Sequence, residues 1–514
     1  MQRLKLPIGI QTFREIREEG HYYVDKTPHI LRLMEGGKHY FLSRPRRFGK
    51  SLLLDTLKEL FEGSRELFTG LHAENCWNWD ARHPVLRISF GSGNFRMAGE
   101  LEARTEEMLG ALEEDHGVDV RYTTAAGRLA GIVEELHRRT DKRTVLLIDE
   151  YDKPILDALD DPDLARANRD YLRGLYAVVK DSDAHIRFSL ITGVSKFSKV
   201  SLFSGLNNLK DITLDARYAT ICGYTEGDLD AVFAPELPGL DRERIREWYN
   251  GYRWLGAEKV YNPFDILLLF DTRRFRAHWF ETGTPAFLLQ TLLQRRVGPM
   301  ELERMVATEE LVSRFDVGDI ATEALLFQTG YLTIVGQRER HGRVRYELGF
   351  PNREVRESLN GSLLRHLTRD GRQEANADRL CEVLENRDFD GLRALFHAFF
   401  AGIPYEWYTN NAIAGYEGYY AAVFYAYFAS LGLDISVEDS TNHGRLDMAL
   451  RFERDVYLFE FKVVEQAGEG TALAQLVDRG YADKYRAPLV GIHLVGVEFS
   501  SETRNIAAFD VQSL

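Results

Sequence analysis

Asp447, Glu460 and Lys462 are residue types that together cut phosphodiesters. In DVYLFEFKVV (455–464), Glu460 and Lys462 stand two apart. A strand carries both on one side, along with Val456, Leu458 and Val464. Two charges on a mostly apolar face are costly unless they pair or bind something. The plain reading is a salt bridge, which would sit more cheaply at a sheet edge. The chemical reading adds Asp447, at the end of GRLD, which a hairpin from Arg445 to Lys462 brings beside Glu460. Two carboxylates and a strand carbonyl make an oxygen site of the kind Mg2+ prefers, with Mn2+ as a substitute. Lys462 would stabilise charge at the attacked phosphorus or position the water, and Glu417 in GYEGYY offers a third carboxylate. The triplet alone is short and common in surface hairpins. The helix after it carries Gln475 and Tyr481, six apart, which could face the site.

A second set lies at SRPRRFGKS (43–51), between a predicted strand and helix. Backbone N–H groups and a helix N-terminus there would surround phosphate oxygens. Lys50 would reach the β- and γ-phosphates, the Ser51 hydroxyl would ligate Mg2+, and Gly49 would allow close backbone approach. The full pattern wants glycine five positions before Gly49, where this chain has Arg44. VLLIDE (145–150) supports the reading, because it is an apolar strand ending in Asp149 and Glu150. An acid at such a strand end holds the Mg2+ shell, and the next could orient and deprotonate water. The plainer reading is a strand with a solvated acidic turn. Thr192 ends a third strand and either senses the γ-phosphate or caps the strand, with Lys196 just beyond. Arg44, Arg46 and Arg47 contact phosphates, reach a neighbouring subunit's ATP, or form a solvated basic loop. The nucleotide set is therefore Arg46, Arg47, Phe48, Gly49, Lys50 and Ser51 of the turn, with Asp149 and Thr192 at strand ends. The metal set is Ser51 and Asp149 there, and Asp447 and Glu460 in the second site.

Positioning these groups takes two α/β units. Apolar runs at 39–43, 84–90, 144–148 and 186–192 alternate with helical periodicity, as over 51–61, which stops at Gly63. Continuous apolar strands between helices predict a parallel sheet covered on both faces. From about 226 to 378 the pattern is mostly helical, with a strand pair around 332–348. The end of the chain reads αβββαβ: a helix over 411–431, strands over 434–438, 445–452 and 456–464, a helix over 471–485 and a strand over 489–497.

The whole chain bounds these readings. With 514 residues, 44% hydrophobic and 28% charged, it is an ordinary folded protein of about three domains. Cys76, Cys222 and Cys381 lie far apart, suggesting neither zinc nor a disulfide framework, so a reducing cytoplasmic setting fits. The N-terminus lacks a signal-peptide core. The longest uncharged apolar run, Gly418 to Leu433, is a buried helix rather than a membrane span, which needs about 20 residues. A net charge of −14 excludes a bulk polycation, so any contact with nucleic acid must come from a local basic patch.

The stretches YVDKTPHI, FLSRPRRFGKSLLLDTL, LLIDEYDKPI, TGVSKFSKVSLFSGLNNLKDITL, WYNGYRW, VYNPFDI, YELGFPNREVR, YEGYYAAVFY, GRLDMAL and LFEFKV occur in order from about residue 20 to 465. In them the chain resembles bacterial AAA-ATPase-like proteins with a C-terminal PD-(D/E)XK nuclease domain. The resemblance makes Arg44 a family trait and carries the nuclease roles onto Glu417, Asp447, Glu460 and Lys462. It implies a P-loop domain over 1–225, a helical lid or linker over 226–378, and a restriction-endonuclease-like domain over 379–514. The partners expected are ATP and nucleic acid, DNA first, with no membrane and an oligomer as an option. Roles in defence or mobile elements are suggested for the family. The expectation is an ATP-regulated, Mg2+-dependent DNA nuclease; the alternative is a nucleotide-driven switch that holds nucleic acid or a partner without cutting.

Overall fold

The computed structural model describes residues 3–196, 208–281, 288–289, 291–292, 295, 297–303, 305–312, 320–368, 373–401, 417–441, 444–465, 468–487 and 490–514. At 281, 311, 366–368, 373–377, 417–419, 438–441 and 444 this covers the backbone course alone. The chain forms two compact units, one of Met1–Gly283 with Val306–Asn352, the other of Thr284–Met305 with Arg353–Leu514.

In the first unit, strands β1 (His39–Ser43), β2 (Val85–Ser89), β3 (Thr144–Asp149), β4 (Ile186–Gly193) and β5 (Lys210–Asp211) form one parallel sheet, ordered β2-β3-β4-β1-β5. β1 and β3 are buried along their whole length, as continuous apolar runs require of strands covered on both faces. The helix Lys50–Glu62 follows β1 and packs on β3. It stops because Gly63, at φ 83°, takes the left-handed conformation and its N–H returns to Glu59 and Leu60 carbonyls. Downstream come a short pair, β6 (Asn250–Tyr252) with β7 (Val260–Tyr261), and the helix Pro263–Thr272, capped by Asn262 and opened by proline. An antiparallel sheet of β8 (Val306–Thr308), β9 (Thr333–Arg340) and β10 (Arg343–Gly349) follows, ordered β8-β10-β9, and β9 and β10 are the expected strand pair.

In the second unit, the helix Glu417–Ser430 contributes Tyr420, Phe424 and Phe428 to an aromatic core. Beside it run β11 (Asp434–Thr441), β12 (Gly444–Phe452), β13 (Asp455–Val464), β14 (Gly491–Ser500) and β15 (Ile506–Ser513), in that order. All neighbours are antiparallel except β13 and β14. Along β13 the period of two sorts the side chains. Tyr457, Phe459 and Phe461 join the aromatic core, while Val456 and Leu458 join a second cluster with Leu476 and Tyr481. Glu460 and Lys462 continue the second side.

Two expectations are refined here. The predicted 471–485 helix ends at Asp478, because Gly480 at φ 57° turns the chain into a 3-10 turn, Tyr481–Tyr485. The predicted 411–431 helix is seen over Glu417–Ser430, and 411–416 lie outside the described residues. β15 completes the sheet beyond the predicted order. Its sequence, IAAFDVQS, alternates too weakly to announce a strand, and pairing with β14 supplies what periodicity does not. Among the described residues, no helix is long and apolar enough to cross a membrane.

Candidate active sites

The turn after β1 is built from both ends. Gly49, at φ 88°, opens the helix Lys50–Glu62, and a Cβ there would meet nothing within 4 Å. Backbone N–H groups of that first turn have no partners inside the helix and suit an anion. Lys50 is buried, and its Nζ donates to the carbonyls of Arg44 and Pro45, 2.9 Å each. Burial pushes its pKa down, while Asp149 and Glu150 pull it back up. Arg46 is exposed, Arg47 lies over the Phe264 ring, and Ser51 is half-buried at the start of the helix. Phe48 contributes to the turn through its backbone, because its side chain is packed against Tyr252 and Trp254.

Arg44 behaves unlike its two neighbours. It is fully buried, donates to the carbonyls of Ser43, Thr213 and Tyr218 at 2.8, 2.9 and 3.1 Å, and stacks over Trp254. The reading of Arg44 as a phosphate contact or solvated loop residue is corrected on this point. Its guanidinium points into the fold and fixes the turn from behind, and burial lowers its pKa to about 10.

Asp149 ends β3 in the buried interior and accepts from the Thr192 hydroxyl at 2.8 Å and from Glu150 N at 3.1 Å. Parallel pairing of β3 with β4 sets this contact. Glu150 is held at φ 50°, a conformation non-glycine residues adopt rarely and often at functional sites. Its carboxylate lies against the turn at Gly91, where a Cβ would come 3.3 Å from Oε2. Burial first, and Asp149 second, raise the Glu150 pKa.

In the second unit, the Asp447 carboxylate accepts from Phe461 N at 2.9 Å, between Glu460 and Lys462. Glu460 is buried, 3.8 Å from Lys462 Nζ, and accepts from Gln475 Nε2. Asp447, Glu460, Lys462 and Gln475 are thus brought together. Tyr481 is tied nearby, its hydroxyl donating to the Arg445 carbonyl at 3.0 Å. The side chain of Glu417 lies outside the described residues. Among the described residues, no three of His, Cys, Asp and Glu gather as a metal site. Asp447 and Glu460 are hard oxygen donors, the chemistry that Mg2+ or Mn2+ takes.

Residues 7–203 match the model of a family described as "Predicted AAA-ATPase", and 415–509 match the PD-(D/E)XK nuclease superfamily. The chain is 58% identical over 517 residues to "Uncharacterized protein in vnfD 5'region" from Azotobacter chroococcum mcd 1, covering 100% of each. The chain belongs to the AAA-ATPase-like family with a C-terminal PD-(D/E)XK domain.

Three features of this family member escape a reading of sequence. Asp152 is buried and accepts from Val194 N, Ser195 N and Ser195 Oγ at 3.1, 2.6 and 2.5 Å, clamping the end of β4 to the acidic turn. It stands in LLIDEYD, three residues after Asp149, and that spacing is its only signal. The segment beyond β7 touches the turn after β1 and the residues after β4: Trp279 Nε1 donates to the Arg46 carbonyl at 3.2 Å, and Gln328 accepts from Lys196 N at 2.8 Å. Lys196 itself pairs with Asp211. Finally, Glu498 on β14 accepts from Gly470 N, Thr471 Oγ1 and Ala472 N at 3.1, 2.9 and 3.0 Å, seating the helix that carries Gln475. No sequence signal joins residues so distant.

Proposed function

We propose that the first unit binds and hydrolyses ATP with Mg2+, and that the second cuts nucleic acid, DNA first, with Mg2+ or Mn2+. In this reading nucleotide state regulates cutting, in a cytoplasmic protein serving defence or mobile elements. Residues 46–51 surround the phosphates, with Lys50 exchanging the Arg44 and Pro45 carbonyls for phosphate oxygens. Ser51 and Asp149 would hold the cation, and Thr192 orients Asp149. Glu150 takes the proton of the attacking water, a role that its raised pKa favours.

The observation that supports the nuclease reading is the contact of the Asp447 carboxylate to the backbone N–H of Phe461, the residue between Glu460 and Lys462 in the chain. Asp447, Glu460 and the Glu417 carboxylate would hold the cation, and Gln475 would orient Glu460. When bound, a cation there would lower the pKa of water and neutralise phosphate charge. Water oxygen bonds to phosphorus and gives up a proton to solvent, the bond from phosphorus to the leaving sugar oxygen breaks, and that oxygen takes a proton from solvent. Lys462 offsets the charge that develops on the phosphoryl oxygens. Glu460→Gln tests this reading: plasmid cleavage should fall at least about a hundredfold with folding and ATP binding kept. Unchanged cleavage by that variant would remove the assignment.

A further inference from the structure

A chain of net charge −14 that handles nucleic acid needs a local cationic surface, and the β9–β10 hairpin supplies one. Pairing is antiparallel, with Arg340 directly opposite Arg343 and Arg338 directly opposite Arg345. Residues opposite one another, and residues two apart, share a side of the sheet. All four arginines therefore stand on one side of the hairpin, and all four are exposed. Glu339 is opposite Val344 and so falls on the other side. Glu347 is on the arginine side and pairs with Arg338. Among the described residues, Arg340, Arg343 and Arg345 have no acidic partner.

This pattern works against the hairpin's own stability. Like charges directly opposite in an antiparallel pair are destabilising, and here two such pairs follow one another. An anion laid along that side would reverse the sign of the effect. The geometry is a short regular array, with guanidinium-bearing positions about 6.6 Å apart along each strand and about 5 Å apart across them. Guanidinium groups grip phosphate oxygens two at a time, and a regular array suits a polymer of repeating phosphates better than the scattered carboxylates of an acidic protein.

We propose that this arginine side of the β9–β10 hairpin is a binding surface for the sugar-phosphate backbone of nucleic acid. The proposal rests on the reading of the second unit as a nuclease, and the hairpin, which belongs to the first unit, adds a surface for nucleic acid. The contact is to phosphates and is therefore indifferent to base sequence and steeply dependent on salt.

The test uses the full chain with Arg338, Arg340, Arg343 and Arg345 all changed to Gln. Binding of fluorescein-labelled duplex DNA, single-stranded DNA and RNA is followed by anisotropy in EDTA, across a salt series. The variant should bind at least tenfold more weakly at low salt. Its slope of log affinity against log salt should be shallower by about 0.9 for each duplex phosphate that the arginines neutralise, or about 0.7 for single strands. The variant should melt no lower than the wild type, because the opposed like charges are gone, and its ATP affinity should match. Wild-type affinity and slope in the quadruple variant would overturn the proposal. Retained metal-dependent cleavage would then show that the nuclease reading survives it. If the wild type bound none of the three nucleic acids, or if the substitutions weakened only binding to phosphatidylserine vesicles or polyglutamate, the proposal would fall as well.

Discussion

Lys50 Nζ already bonds two of the turn's own carbonyls, so an arriving phosphate has hydrogen bonds to replace as well as to make. Lys50→Ala should therefore weaken ATP binding at least about tenfold, as fluorescent-nucleotide titration would show, because it removes a charge-assisted hydrogen bond to phosphate. Glu150 gives a pH test. Its raised pKa means that the folded state disfavours the ionised form, so a stability cost sets in as pH rises through and above the ordinary glutamate range. Glu150→Gln removes that cost: melting temperatures of variant and wild type should agree in acid and diverge in the variant's favour at pH 8. A pH-independent difference would refute the assignment. The same variant should hydrolyse ATP about 10²- to 10⁴-fold more slowly while still binding it. Arg44 is legible as a departure from pattern but not in its role, because an arginine buried against Trp254 and two carbonyls from 213 and 218 depends on tertiary contacts. Arg44→Met should cost about 2–4 kcal/mol in chemical denaturation by stranding those carbonyls.

Elements explain which parts of each site are readable in advance. β1, β3 and β4 announce themselves because buried parallel strands are continuous apolar runs, and the residues closing them have to meet along one edge of the sheet. The β13 side is legible for a similar reason, since a period of two sends Glu460 and Lys462 the same way as Leu458. What is not legible joins elements remote in sequence, as Glu498 does when it holds the first turn of Thr471–Asp478. Burial works to raise the Glu498 pKa, but hydrogen bonds from Ala472, Glu469, Thr471 and Gly470 outweigh it, and the net shift is downward. Glu498→Ala should cost about 1–3 kcal/mol by leaving buried donors unmet, and should speed amide exchange over 469–475. Unaltered exchange there would contradict the capping role. Gly193 is a second element-scale device, because a Cβ there would lie 2.5 Å from Asp152 Oδ1 and the Tyr151 ring. Gly193→Ala should lower ATP turnover more than ATP affinity by displacing the Asp152 clamp, and equal losses in both would argue otherwise.

At the scale of the whole molecule, two family domains fall in two compact units of one acidic chain. Each candidate site keeps its acids close to a buried lysine or a lysine-carboxylate pair, and in the proposed reading both neutralise phosphate charge. In the proposed reading, the second unit cuts nucleic acid under control of nucleotide at the first. The direct test is cleavage of plasmid and linear DNA with Mg2+ or Mn2+, with and without ATP, by wild type, Asp447→Ala and Lys50→Ala. Wild type should cleave in a metal-dependent way, Asp447→Ala should not cleave, and Lys50→Ala should respond differently to ATP. No cleavage by folded, ATP-binding wild type under any of these conditions would contradict the reading and leave a nucleotide-driven switch in its place.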